Sequence, residues 1–172
     1  MSTLSASSVS SDKVLKLKSS DGEIFEVKQT VAVQSGVLKK MMEDGCTEGE
    51  IPLNNVDSPT LAKIIEWCNK HHDDDVEGRV LSEEKEKEKE KADMKKWESE
   101  FIDALNRDEI YFLLIGSNFM NIKELLDCAA QKVADMVKGK SPEAIREMFN
   151  IQSDFTEEEE KAIRKENQWA FD

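Results

Sequence analysis

Val14-Leu15-Lys16-Leu17-Lys18, then Asp21-Gly22, then Glu23-Ile24-Phe25-Glu26-Val27 set two largely alternating apolar and polar runs on either side of a turn dipeptide. Alternation with a period of two puts every second side chain on one face of an extended strand, and Asp-Gly tolerates the positive φ angles of a tight turn. The stretch predicts a β-hairpin that buries Leu15, Leu17, Phe25 and Val27, with Ile24 as the misfit. Ile51-Pro52-Leu53 has room only for a short strand, and a proline, having no amide hydrogen to give, belongs at a sheet edge.

Around this small sheet the pattern turns helical. Val33, Val37, Leu38, Met41 and Met42 recur at helical spacing, and Gly36 interrupts them, so two short helices are predicted. Ser58-Pro59 opens a further helix, with the serine as cap and the proline at a position whose missing N–H costs no bond. Leu61, Ile64, Ile65 and Cys68 form its stripe, and it runs to about Lys70. After Trp97 the chain reads as helices throughout: Trp97, Phe101, Ile102 and Leu105 share a face, Ile110 to Ile115 is nearly continuous, and Ile122 to Val137 carries a long amphipathic stripe ending at Gly139. Ser141-Pro142 begins the next helix, and Thr156-Glu157-Glu158-Glu159 has the spacing of a capping box before a last helix with Ala162, Ile163 and Trp169.

Glu84 to Lys91 alternates Glu and Lys strictly. On a helix its i,i+4 pairs would be like-charged and only its i,i+3 pairs attractive, while as a strand it would bury nothing. It reads as a charged flexible loop over about residues 73–95. An exposed charged helix is the competing reading, because Glu and Lys both favour helix.

The chain has 172 residues, 37 Asp plus Glu, 24 Lys plus Arg and a net charge of -13. Such acidity opposes direct nucleic-acid binding, which needs cations enough to displace counterions from phosphates, and opposes an anionic membrane surface. No apolar run approaches the roughly 18 residues that cross a bilayer. Met1 to Ser11 is Ser-rich, without the basic start and apolar stretch of a secretory signal. The expectation is a soluble protein of nucleus and cytoplasm. Cys46, Cys68 and Cys128 are scattered and odd in number, which suits reduced, space-filling thiols.

Nothing supports catalysis, a cofactor or a small-molecule substrate. Phosphate-cradling glycine motifs and the G-x-S-x-G nucleophile turn are absent. His71 and His72 are the only histidines; adjacent on a helix they point apart, so a solvated helix end is expected rather than a metal site. Glu157 to Glu160 lacks the glycine turn that lets carboxylates enclose calcium, and suits a helix start. Ser141 to Asp172 has too few apolar groups for a core of its own. Two readings stay open there: the segment folds back on the preceding helices, or it completes a groove that another protein fills.

Asn121-Ile122-Lys123-Glu124-Leu125-Leu126-Asp127, Val133 to Glu143, Phe149-Asn150-Ile151, Asp154 to Glu160 and Arg164 to Trp169 resemble the Skp-one adaptors of SCF-type ubiquitin ligases. Ser20-Asp21-Gly22-Glu23-Ile24-Phe25, Gln34-Ser35 and Ile65-Glu66-Trp67-Cys68 match in the same order, and Trp169-Ala170-Phe171-Asp172 is similar to the plant members.

The resemblance implies an α/β fold: a disordered amino terminus (1–13), a BTB/POZ-type domain with a small sheet and surrounding helices (14–138), and a carboxy-terminal helical extension that completes an F-box-binding surface (139–172). It implies a non-catalytic adaptor between a cullin and F-box substrate receptors, promoting ubiquitination and degradation of target proteins. A diverged paralogue that holds F-box proteins without the cullin is the alternative. By family position Leu114, Leu126, Val133, Phe149, Ile151, Phe155 and Trp169 line the F-box surface, and Asn118, Phe119 and Met42 the cullin contact. The chain departs from the family pattern at Phe119, where a tyrosine is usual, which implies a weakened rather than abolished cullin contact. Gly36 and Gly116-Ser117 also depart from it, and imply added backbone freedom near that surface.

Overall fold

A computed structural model of the chain describes residues 13–72 and 84–170. The elements run β1 (Val14–Ser19), β2 (Ile24–Lys28), α1 (Gln29–Ala32), α2 (Gly36–Glu43), β3 (Glu50–Leu53), α3 (Ser58–His72), α4 (Glu84–Asp103), α5 (Arg107–Met120), α6 (Lys123–Val137), α7 (Pro142–Phe149) and α8 (Glu157–Glu166), closed by a 3-10 turn at Gln168–Ala170. Two compact units are present, Met1–Ala134 and Asp135–Asp172.

The hairpin forms as its alternation requires. β1 pairs antiparallel with β2, Leu15 opposite Val27 and Leu17 opposite Phe25, while Gly22 takes φ +92° in the turn. Leu15, Leu17 and Val27 are buried, Phe25 half-buried, and Ile24 remains 47% exposed. β3 lies parallel to β1 on the side away from β2, in the order β2-β1-β3. It is therefore an edge strand, where Pro52 has no ladder hydrogen bond to forfeit.

Helix α3 carries the core's largest side chains. Leu61, Ile64 and Trp67 are almost wholly enclosed, and the helix packs on α1 and α5. Its start differs from the expected serine cap. Asp57 accepts the Thr60 amide at 3.1 Å, whereas the Ser58 amide and hydroxyl both donate to Asp21 in the hairpin turn. The Asp21 carboxylate offers both oxygens at once and so takes both Ser58 donors, tying the helix to the sheet, while Asp57 is left to cap it.

The residues expected to form the latter half of a charged loop, Glu84 to Lys95, belong to α4 instead; residues 73–83 lie outside the described part. Helix growth needs no new nucleus once a turn exists, and this helix is anchored at its far end. Trp97 and Phe101 pack on Trp67 with ring centroids 5.8 and 5.7 Å away. Glu and Lys then extend it into solvent at little cost, with residues 88–93 exposed.

The three thiols are free: Cys46 is exposed, Cys128 half-buried and Cys68 buried. Enclosure pushes the Cys68 thiol up to about 12, so it fills core space as a neutral group.

In the second unit, Ser141 caps α7 by accepting the Ala144 amide, and Pro142 opens it. α8 begins with a complete capping box between Thr156 and Glu159. The expected final helix stops at Glu166, and Trp169 stands in the separate 3-10 turn beyond it.

Candidate protein-binding surface

Among the described residues from Asp135 onward, none is buried. Ile151 is 55% exposed, Phe155 47% and Trp169 78%, and Phe149 is half-buried. Local polar bonds hold this unit together instead of a core. Arg146 Nη1 lies 3.0 Å from Glu160 Oε1, Ser153 Oγ donates to the same oxygen at 2.8 Å, and Arg164 pairs with Glu143. Asn150 ends α7 in the left-handed region at φ 52°, which lets the Ile151 amide bond back to the Arg146 carbonyl at 2.8 Å. That turn directs the chain into Ile151 and then Phe155, whose ring has the Arg146 guanidinium 6.0 Å from its centroid. α8, about 15 Å long by helical rise, separates Phe155 from Trp169.

In the first unit, α5 opens with a capping box from Asn106 and Glu109 and closes at Asn121 in the left-handed region, φ 54°. Leu114 and Phe119 are half-buried, and Asn118 is exposed. Met42, half-buried, rides on α2, which packs against α5. The structure therefore gathers the three expected cullin-contact residues on two adjoining helices. Leu126 and Val133, two turns apart on α6, are half-buried, while Leu125 and Ala129 turn inward. Lys132 fixes this helix to the end of α4 with a 2.6 Å bond to Asp103. That hydrogen bond, and then the ammonium charge, hold the Asp103 carboxyl below its ordinary 3.8.

Three apolar residues of the first unit that sequence reasoning passed over are also exposed. Tyr111, Phe112 and Ile115 on α5 are 54%, 49% and 37% exposed. A signal existed: six successive apolar residues, Ile110 to Ile115, sweep completely around a helix, so a helix packed on one side cannot bury them all.

The glycine departures have a different meaning from added freedom. A Cβ on Gly116 would stand 3.0 Å from both Ile64 Cδ1 and Thr60 Cγ2. The missing side chain thus permits the close approach of α3 and α5. Ser117 is fully buried, its hydroxyl donating to the Leu114 carbonyl at 3.1 Å. At Gly36 a Cβ would press on the side-chain amide of Asn121.

His71 is not a solvated helix end. Its ring stacks on Trp67 at 4.3 Å, Nδ1 donates to the Trp67 carbonyl at 2.9 Å, and Nε2 lies 3.0 Å from Glu98 Oε1. Nδ1 is held within α3 by the Trp67 carbonyl, and Nε2 joins α3 to α4. No cluster of three or more potential metal ligands occurs among the described residues, and none of their helices is long and apolar enough to cross a membrane.

A small α/β unit that supports α5 and α6, together with helices whose aromatic side chains lack a core, defines a protein-binding adaptor. Comparison with known proteins agrees. Residues 13–73 match the Skp1 family tetramerisation domain, and residues 123–170 the Skp1 family dimerisation domain. The chain is 50% identical to SKP1-like protein 11 of Arabidopsis thaliana over 94% of its own length and 99% of that protein. It is 45% identical to SKP1-like protein 1A of the same plant, over 94% and 99% of the two chains. With SKP1-like protein 1 of Oryza sativa subsp. japonica the identity is 44%, over 93% and 96%. The chain belongs to the Skp1 family and is a plant-type member. It is accordingly a non-catalytic adaptor of the SCF class, with F-box proteins and a cullin as its partners.

Proposed function

We propose that the chain bridges a cullin and F-box substrate receptors at the same time, and so promotes ubiquitination and degradation of the proteins those receptors hold. The carrying observation is the exposure of Ile151, Phe155 and Trp169 in a unit with no buried residue among those described. Covering one such side chain contributes roughly 1.5–3 kcal/mol, so several anchors account for a firm hold on an F-box. Leu114, Leu126, Val133 and Phe149, each half-buried, are assigned to the same partner. Asn118, Phe119 and Met42 are assigned to the cullin. Phe119 meets it by packing alone, since it lacks the phenolic hydroxyl that a tyrosine would supply.

The mechanism is geometric. Two simultaneous attachments place the receptor's cargo near the ubiquitin-loaded enzyme that the cullin recruits, and the raised effective concentration replaces catalytic groups. Binding assays with an F-box protein, a cullin, and both together test the proposal. A ternary complex is expected. Retention of the F-box protein with complete loss of the cullin would reduce the chain to a stabilising scaffold.

A further inference from the structure

Ser35 lies between α1 and α2 and is 1% exposed. Its hydroxyl donates to the carbonyl of Met120, the last residue of α5, at 2.6 Å. The same oxygen accepts the Leu38 amide at 3.3 Å as the N-cap of α2. Beside it the Gly36 amide donates to the Asn121 carbonyl at 3.2 Å. Helix ends leave backbone donors and acceptors without partners inside the helix. Here one hydroxyl serves the start of α2 and the end of α5 together, which requires a group able to donate and accept at once.

The two helix ends joined in this way lead to Met42 on one side and to Asn118 and Phe119 on the other. We infer that Ser35, with Gly36 beside it, is a positioning clasp that sets α2 against the end of α5 and thereby fixes affinity for the cullin. This rests on the cullin assignment proposed above. Ser35 is too enclosed to meet a partner itself, so its effect travels through the elements it joins. Without the hydroxyl, the Met120 carbonyl loses its side-chain donor and α2 loses its cap, and the bond from the Gly36 amide is left to join the end of α5 to the start of α2, so Met42 and Phe119 are set against each other less firmly. Gly36 contributes by absence: a side chain there would press on the Asn121 amide and work against the closure.

The test uses the full chain, a cullin and an F-box protein, with affinities measured separately. Ser35→Ala is expected to weaken cullin binding about tenfold and to leave F-box binding within about twofold, and Ser35→Thr, which keeps the hydroxyl, to restore most of the cullin affinity. Asn118→Ala combined with Phe119→Ala reports on the underlying assignment. If that pair leaves cullin binding intact, the contact lies elsewhere and assignment and clasp fall together. If the pair abolishes binding while Ser35→Ala keeps it, the clasp alone is overturned. Equal weakening toward both partners would make Ser35 a general stability residue and also overturn it. Should Ser35→Ala fail to fold, Gly36→Ala, which loads the junction from the Asn121 side, is judged by the same comparison.

Discussion

Trp67 and His71 stack with ring centroids 4.3 Å apart and planes inclined by 21°. The pair sits where α3 meets α4, and His71 reaches across to Glu98 at 3.0 Å. His71→Ala removes an aromatic contact and a largely enclosed polar bridge, each of order 1 kcal/mol. A destabilisation of about 1–3 kcal/mol is expected. Urea denaturation followed by Trp67 and Trp97 fluorescence measures it, and an unchanged midpoint would remove His71 from the junction.

Gly116 offers a contrasting test of packing. Gly116→Val pushes branched methyls into Ile64 and Thr60, where even a Cβ comes within 3.0 Å. Overpacking of this kind costs about 1–3 kcal/mol. Gly116→Ala gains about 1 kcal/mol of helix propensity against a smaller clash, so it should fall close to neutral. If valine were tolerated as well as alanine, the close approach of α3 and α5 would not be the reason for the glycine.

What the sequence makes legible here, and what it does not, follows one physical line. Strand alternation around Asp21-Gly22, the Pro59 helix start and the capping box at Thr156 depend on neighbours in the chain, and a sequence contains those neighbours. The helix at Glu84 to Lys95 was hidden because its stability is borrowed from Trp97 and Phe101 docking on Trp67, a contact 30 residues or more away in sequence. His71 and Gly116 were misjudged for the same reason, since their partners, Glu98, Ile64 and Thr60, come from other helices. In the candidate surface, apolar residues unsuited to their own segment were visible from composition. The outward side of α5 was missed, because a continuous apolar run does not by itself tell which of its residues face outward.

Acid should loosen the start of α8. The Thr156 amide, and then its hydroxyl, hold Glu159 below its ordinary 4.5. Glu143 at the start of α7 is likewise depressed, chiefly by its own amide. A depressed carboxylate contributes stability that is complete above the unfolded value and is lost as pH falls through the folded one. Chemical shifts of Thr156 to Glu166 should therefore show the first turn fraying as pH falls below 4.5, with Glu159→Ala, which removes the acceptor, already frayed at neutral pH. An α8 equally stable in the variant at both pH values would contradict the capping box as its support.

The central claim is that the aromatic side chains of the second unit await a partner. Hydrogen exchange across Ser141 to Ala170, measured on the free chain and on its complex with an F-box protein, tests this most directly. The account predicts rapid exchange in α7 and α8 when free, and strong protection centred on Ile151, Phe155 and Trp169 when bound. Protection that is already high in the free chain, and unchanged by the F-box protein, would contradict it.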